Sequence, residues 1–143
     1  RPTLAVFGQK DWQQLAIIRR MTADLGFDVE IVGAPIVREA DGLALSSRNV
    51  RLTPTERGQA VAINRGLALA EELARGGERD PGRILAAVRA RYAAEMPSGT
   101  VDYLECVDPG SIEPLAVIDG PALFAAAVKF SAARLIDNRV VDA

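Results

Sequence analysis

The first group of side chains suited to anion binding begins at Gly8. Lys10, Asp11 and Gln14 follow it within one predicted helical turn, directly after an apolar strand over Leu4–Phe7. Residues three and four apart share a helix face, and open α/β sheets bind ligands where a strand ends. The glycine allows close backbone approach, and the helix N-terminus presents free N–H groups to an anion. An exposed lysine, an aspartate N-cap and a solvated glutamine would explain the same residues without a function.

The second group lies in a loop over residues 37–49, where Ser46, Ser47 and Arg48 are consecutive. Two hydroxyls followed by a guanidinium suit a polyphosphate, because the hydroxyls donate to phosphate oxygens and the guanidinium binds bidentately and stays charged. The segment therefore predicts a phosphate-binding loop. The alternative is a solvated loop in which Ser46 caps a short helical turn.

The residue types that are missing restrict the chemistry further. The 143 residues include no histidine, and Cys106 is the single cysteine. A Ser-His-Asp triad, a Cys-His pair, an imidazole-ligated zinc site and an intramolecular disulfide are therefore excluded within this chain. Asp102 and Glu105 are predicted to lie on opposite faces of a strand, which makes them a poor acid-base pair. Catalysis would have to use lysine, arginine, carboxylates, hydroxyls and backbone dipoles.

A β-α-β unit is predicted to position the first group. Its elements are a strand over Leu4–Phe7 buried on both faces, a helix from about Asp11 to Gly26, and a strand over Val29–Val32 that Gly33 ends. Strands joined in this way are parallel and need further parallel neighbours. We expect those neighbours to lie upstream, since the chain starts at Arg1 without an initiator methionine and resembles a piece of a longer protein.

Two helices and antiparallel strands follow the loop. Thr53, Pro54 and Glu56 predict a capped helix start with a capping box, and Asp80-Pro81 predicts a second helix start. Alternating or continuous apolar runs then predict strands over Val101–Val107, Leu115–Ile118, Leu123–Lys129 and Arg134–Val141, the last two forming a hairpin. The predicted fold class is α/β: a β-α-β unit, then an α+β part with two helices and a three- to four-stranded antiparallel sheet.

Composition is that of an ordinary globular protein, with 49% hydrophobic residues, 25% charged residues and a net charge of −2. The interspersed charges give no electrostatic footprint for nucleic acid or for a membrane surface. No apolar run is long enough to span a bilayer, and no signal-peptide pattern begins the chain. With a single cysteine, these features predict a cytoplasmic protein.

The two polar segments together resemble one family. Phe-Gly-Gln-Lys-Asp-Trp-Gln-Gln-Leu at residues 7–15, followed by Val-Arg-Glu-Ala-Asp-Gly-Leu-Ala-Leu-Ser-Ser-Arg-Asn at residues 37–49, is similar to the pantothenate synthetase (pantoate–β-alanine ligase) family. Thr53-Pro54 and residues 101–105 and 134–138 extend the similarity over nearly the whole chain. The resemblance implies that residues 1–36 end a Rossmann-like nucleotidyltransferase domain and that residues 37–143 form the C-terminal domain.

The resemblance also implies a reaction and its participants. Pantoate would attack the α-phosphate of ATP with Mg²⁺ assistance, giving pantoyl adenylate and pyrophosphate, and the amine of β-alanine would then displace AMP. The complete enzyme would be a homodimer. The family pattern assigns phosphate binding to Lys10, Ser46, Ser47 and Arg48, ribose to Gly8 and Asp11, adenine to backbone groups of Val37 and Leu45, and pantoate to Gln14. It assigns no metal ligand to this chain.

The sequence departs from the family pattern in three ways, of which the first two are tolerable. Trp12 stands where the family usually has tyrosine, and Leu45 stands where methionine is common. The His-x-Gly-His-type segment that contacts ATP phosphates is missing, so the resemblance predicts a half-site that is inactive alone. The alternatives are a self-associating interaction module without catalysis, and a related cytidylyl- or adenylyltransferase, whose loop tends to carry a lysine. A module would have to cover its β-α-β unit with its own residues.

Overall fold

A computed structural model describes residues 2–143. Its elements, in chain order, are β1 Leu4–Gly8, α1 Trp12–Asp24, β2 Glu30–Ala34, a 3₁₀ helix Ser47–Arg51, α2 Pro54–Arg75, α3 Pro81–Glu95, β3 Thr100–Val107, β4 Pro121–Lys129 and β5 Arg134–Asp142. Strands β1 and β2 form a two-stranded parallel sheet, and β3, β4 and β5 form a three-stranded antiparallel sheet in that order. The predicted fold class is confirmed.

The β-α-β unit places the first polar group at the end of β1. Asp11 is the N-cap of α1, and its carboxylate accepts a hydrogen bond from the Gln14 N–H at 3.3 Å. The prediction that Gly33 ends the second strand is wrong, because β2 runs through Gly33 to Ala34. The strand also begins one residue later than expected, at Glu30. A Cβ at Gly33 would lie 2.9 Å from Cδ2 of Leu15, so glycine lets the helix pack closely on the strand.

The prediction that β1 is buried on both faces is also wrong within the described residues. Leu4 and Val6 are 48% and 58% exposed, whereas Ala5 and Phe7 are partly buried. A two-stranded sheet with one helix has cover for one face only. The apolar pattern predicts a strand, but it does not predict which neighbours cover its second face.

Helices α2 and α3 begin where the sequence predicts. Thr53 caps α2 with Pro54 in its first turn, and Asp80 caps α3 with Pro81 in its first turn. The two helices pack closely at Gly66, where a Cβ would lie 2.2 Å from a ring carbon of the α3 tyrosine, Tyr92.

The capping box is formed differently from the prediction. The Glu56 N–H donates to the Thr53 hydroxyl at 3.2 Å, as expected. The Glu56 carboxylate, however, accepts from the Ser131 hydroxyl at 2.6 Å and from the Ser131 N–H at 3.0 Å. The start of α2 is therefore attached to the β4–β5 hairpin, 75 residues away in sequence.

The three-stranded sheet packs one face against α2 and α3. Its contribution to the core comprises Leu104, Cys106, Ala122, Phe124, Ala126, Val128, Leu135 and Val141. The predicted strand Leu115–Ile118 does not form; only a single bridge joins Pro114 to Val107. Proline has no N–H to continue a ladder, and the Ile118 N–H donates instead to the Arg79 carbonyl at the α2–α3 turn. The sheet therefore has three strands, the lower of the two predicted numbers.

An irregularity in β3 changes the environment of Asp102. The β3–β4 register shifts between Val101 and Tyr103. The regular alternation that would place Asp102 and Glu105 on opposite faces of β3 is therefore interrupted there. Asp102 instead forms ion pairs with Lys129 and Arg134. The division into residues 1–36 and 37–143 stays a prediction.

Candidate active site

A cleft lies between the β1–α1 junction, the Ser-Ser-Arg loop and the first residues of β5. Its volume is about 470 Å³. The residues that line it are Gly8, Lys10, Asp11, Gln14, Ser46, Arg48, Arg134 and Ile136. The two polar groups predicted from the sequence thus meet in one place, although most of α1 and all of β2 lie between them in the chain.

Lys10 joins the two groups directly. Its Nζ donates a hydrogen bond to the Leu45 carbonyl at 3.0 Å. Burial lowers the pKa of Lys10; the nearby Arg48 lowers it further, whereas Asp137 acts in the opposite direction. Two cations facing the same cleft give it a positive potential, which a bound polyanion would relieve.

Asp11 and Gln14 occupy the first turn of α1 beside the lysine. The Asp11 carboxylate caps the helix, as the non-functional interpretation predicted, and it also lines the cleft. Gly8 lines the same cleft, and an added Cβ there would meet no atom within 4 Å. The end of β1 therefore leaves room for a ligand against the backbone.

The Ser-Ser-Arg loop ends in the 3₁₀ helix. The Ser46 hydroxyl accepts from the Arg48 N–H at 3.2 Å, so Ser46 caps this turn, and the same residue lines the cleft. Nη1 of Arg48 donates to the Arg134 carbonyl at 3.4 Å, which brings the guanidinium to the beginning of β5. Ser47 opens the 3₁₀ helix, is exposed and is not among the residues that line the cleft.

The side chains of Val37 and Leu45 are exposed and do not line the cleft. The Leu45 N–H donates to the Val37 carbonyl at 2.8 Å, and the Leu45 carbonyl accepts from Lys10. The backbone of both residues and the lysine ammonium are thus linked at this edge of the loop. Contact of these backbone groups with adenine stays a prediction.

An ion pair between Arg38 and Asp137 holds the loop on the sheet. The two guanidinium nitrogens of Arg38 donate to the two Asp137 oxygens at 2.7 and 2.9 Å, and one of them also donates to the Gly42 carbonyl at 3.0 Å. Asp137 is only 3% exposed. A bidentate pair of this geometry fixes both distance and orientation, so it positions the loop that carries Arg48.

Asn138 makes the corresponding connection to the other side of the cleft. Its Nδ2 donates to the Gln9 carbonyl at 2.8 Å and to the Lys10 carbonyl at 2.9 Å. The backbone that presents Lys10 is therefore attached to β5, and both halves of the cleft are fixed by neighbouring residues of one strand.

A family model described as Pantoate-beta-alanine ligase matches residues 1–140. The chain belongs to the pantoate-beta-alanine ligase family. A pantothenate synthetase of Solidesulfovibrio magneticus is 74% identical over 140 residues, which are 98% of this chain and 49% of that protein. One from Oleidesulfovibrio alaskensis is 55% identical over 137 residues, covering 96% and 49%. The chain thus spans about half the length of the curated relatives it matches.

Solved structures of the pantoate-beta-alanine ligase family share the fold. A pantothenate synthetase from Thermus thermophilus matches with a TM-score of 0.90 and 45% identity, over 96% of this chain and 49% of that one. A pantoate-beta-alanine ligase from Francisella tularensis, complexed with beta-gamma ATP and beta-alanine, matches with a TM-score of 0.62 and 22% identity, over 96% and 43%.

Four residues of β5 contribute to this cleft although the sequence predicts no role for them. Arg134 and Ile136 line it, whereas Asp137 and Asn138 hold its two sides. In the sequence, the segment 134–138 carries a family resemblance only. Alternation along a strand predicts that such residues divide between two faces, but it does not predict which loops those faces contact.

Neither a metal-ligand cluster nor a membrane span is found in the part of this ligase-family chain that the structure describes. No group of three or more His, Cys, Asp or Glu side chains among residues 2–143 could hold a metal ion. Asp11 is the single carboxylate among the residues that line the cleft. Over the same residues, each helix is too short or too polar to cross a bilayer.

Proposed function

We propose that this chain supplies one wall of the ATP site of a pantoate–β-alanine ligase, which condenses pantoate with β-alanine through a pantoyl adenylate. The cleft carries this proposal, because it brings the Lys10 ammonium, the Arg48 guanidinium and the Ser46 hydroxyl into one volume of about 470 Å³. Such a set of donors matches the oxygens of a polyphosphate.

In the first step a pantoate carboxylate oxygen attacks the α-phosphorus of ATP. A new P–O bond forms, the bond from the α-phosphorus to the bridging oxygen breaks, and pyrophosphate leaves with the electron pair. Charge accumulates on phosphate oxygens during this exchange. Lys10 and Arg48, with the hydroxyl of Ser46, stabilise that charge from fixed positions, and fixed donors lower the barrier most effectively.

In the second step the amine of β-alanine attacks the acyl carbon of pantoyl adenylate. The amide C–N bond forms, AMP departs with the electrons of the C–O bond, and the amine loses a proton. Gln14, at the end of the cleft formed by α1, binds pantoate and keeps its acyl group in place. Gly8 and Asp11 contact the ribose, and the backbone of Val37 and Leu45 contacts adenine.

Mg²⁺ fits this site as a companion of the nucleotide. It is typically bound by one or two carboxylates together with substrate phosphates, and Asp11 is the one carboxylate that lines the cleft. When bound, the ion would neutralise phosphate charge. The Francisella relative has been described with beta-gamma ATP and beta-alanine, which agrees with the substrates proposed here.

The exposed face of β1 favours a ligase part over the self-associating module. A module would cover its β-α-β unit with its own residues, but Leu4 and Val6 are about half exposed. We propose that the remaining half of the relatives' length covers this face and supplies the phosphate-contacting histidine segment. A homodimeric, cytoplasmic enzyme completes the proposal.

The test is AMP release that depends on pantoate and β-alanine, measured for this chain alone and mixed with the N-terminal half of the Solidesulfovibrio magneticus relative. We expect activity in the mixture only. Arg48→Ala should reduce it about a hundredfold, as loss of one charge-stabilising donor does. Arg83→Ala on α3 makes the same charge change on an exposed pair away from the cleft and should leave the rate unchanged.

Full activity of the Arg48→Ala mixture would refute the phosphate role of the loop. Activity of the chain alone would refute the half-site. A mixture that binds ATP but forms no adenylate from pantoate would refute the ligase activity and indicate a nucleotide-binding protein of another function.

A further inference from the structure

Arg134 is the first residue of β5 and lines the cleft together with Lys10 and Arg48. Residues 129 and 134 pair at the hairpin end of the antiparallel sheet, so Arg134 lies beside Lys129. The Arg134 carbonyl accepts a hydrogen bond from Arg48 at 3.4 Å. The beginning of β5 is thus in direct contact with the loop proposed to bind phosphate.

The Arg134 guanidinium is held in place by its neighbours in β3. Its Nε donates to Oδ2 of Asp102 at 2.9 Å, and its central carbon lies 5.5 Å from the centroid of the Tyr103 ring. The other oxygen of Asp102, Oδ1, forms an ion pair with Lys129 at 3.2 Å. Hydrogen bonds from Arg134 and then from Lys129 hold the pKa of Asp102 below its usual range, so this carboxylate is ionised at neutral pH.

The charges at the cleft do not balance. Lys10, Arg48 and Arg134 line it, and Asp11 is the one lining carboxylate. Asp102 neutralises Arg134 through a single nitrogen, Nε, and two other nitrogens of the guanidinium remain as donors in the described contacts. A guanidinium oriented by one partner loses little rotamer freedom when it binds a second, anionic one.

We propose that Arg134 is a third cationic contact for the triphosphate of the nucleotide, with Asp102 as the residue that orients it and competes for it. This inference rests on the proposed function for the identity of the ligand. The contact favours a chain of phosphates over a single phosphate, because three separate cations surround the cleft. Arg134 therefore distinguishes ATP from the product AMP.

The experiment is isothermal titration of this chain with inorganic tripolyphosphate and, separately, with AMP. Arg134→Ala should weaken tripolyphosphate binding about tenfold, the size of one hydrogen-bonded charge contact, and should change AMP binding less than about twofold. Arg134→Lys keeps the charge without the planar fork, so its affinity for tripolyphosphate should lie between those of Arg134→Ala and the unsubstituted chain. Arg83→Ala, with the same charge change on α3, should bind like the unsubstituted chain.

Asp102→Asn gives a result that a structural role alone would not produce. The asparagine oxygen can still accept from Nε of Arg134 and so orient the guanidinium, whereas the competing charge is gone. Tripolyphosphate binding should therefore strengthen about threefold, as expected for the loss of an exposed ion pair, even where thermal unfolding shows a small loss of stability. Asp24→Asn removes a carboxylate from an exposed pair on α1 and should have no effect on binding.

In one outcome, the Arg134→Ala variant binds tripolyphosphate as tightly as the unsubstituted chain while Arg48→Ala binds weakly. That result would overturn the role of Arg134 and leave the proposed function intact. A weaker Asp102→Asn complex would also overturn the proposal. The absence of tripolyphosphate binding both by the unsubstituted chain alone and by its mixture with the N-terminal half of the Solidesulfovibrio magneticus relative would overturn both proposals. So would binding that neither Arg48→Ala nor Arg134→Ala weakens.

Discussion

The substitution Asp137→Asn tests whether the Arg38–Asp137 pair fixes the phosphate loop. It keeps the size of the side chain and removes its charge. Asp137 is 3% exposed and Arg38 is 23% exposed, so the asparagine would leave a largely buried guanidinium with a neutral partner. The Asn138 N–H, which donates to Asp137 at 2.8 Å, would lose its ionised acceptor as well.

The expected loss in free energy of unfolding is about 2–4 kcal/mol. Breaking a fully buried ion pair costs roughly 3–5 kcal/mol, and the partial exposure of Arg38 lets water compensate for part of that. Asp41→Asn is the matched control, since Asp41 forms a bidentate pair with Arg57 in which the side chains are 45% and 33% exposed. The control should cost less than about 1 kcal/mol.

Urea unfolding followed by circular dichroism gives both values, with the midpoint and slope fitted separately. Tripolyphosphate titration of the same two variants should show weaker binding for Asp137→Asn alone, since Arg38 positions the loop that carries Arg48. Equal destabilisation by Asp137→Asn and Asp41→Asn, or unchanged binding by Asp137→Asn, would refute this reasoning.

Three further predictions concern the core and the hairpin. Gly66→Ala should destabilise the chain by about 1–3 kcal/mol in thermal unfolding because its methyl would overlap the α3 tyrosine, whereas Gly58→Ala, in open space on the same helix, should stabilise it by about 0.5–1 kcal/mol. Burial raises the pKa of the Cys106 thiol to about 11, so a thiol reagent at pH 8 should modify the protein only in urea; rapid reaction without urea would contradict this. The Ser131 hydroxyl lowers the pKa of Glu56. The contribution of this contact to the free energy of unfolding is therefore fully present above pH 4.5 and is lost as pH falls through the lowered pKa. Ser131→Ala should therefore be less stable than the unsubstituted chain at pH 7, and a difference that does not shrink in acid would refute that account.

Local signals predicted the helices and the two polar groups well. A proline after a capping residue specifies a helix start within a few residues, and both such starts are confirmed. The predicted strand Leu115–Ile118 does not form. An apolar run does not show whether a partner strand is available, and Pro114, which has no N–H to continue a ladder, precedes it. Leu4 and Val6 have the composition of a buried strand, but the cover they need is not among the described residues.

The parts of the cleft contributed by β5 could not be predicted because they depend on long-range contacts. Arg38 and Asp137 are 99 residues apart, and Asn138 lies 128 residues from the Lys10 carbonyl that it binds. Nothing in a strand of mixed polar and apolar residues shows that a distant loop will supply the partner of a buried carboxylate. The roles of the predicted phosphate-binding residues stay predictions until binding is measured.

The way β5 divides its residues has a consequence for insertions and deletions. Arg134, Ile136 and Asn138 contact the cleft or the β1–α1 junction, whereas Leu135 and Val141 belong to the core. Because side chains alternate along a strand, a one-residue insertion or deletion that shifts the β4–β5 register by one position would exchange the two sets. Such a shift would move the Arg134 guanidinium to the face that packs on α2 and Leu135 to the cleft, so a one-residue indel that alters this register should disrupt core packing and ligand binding together.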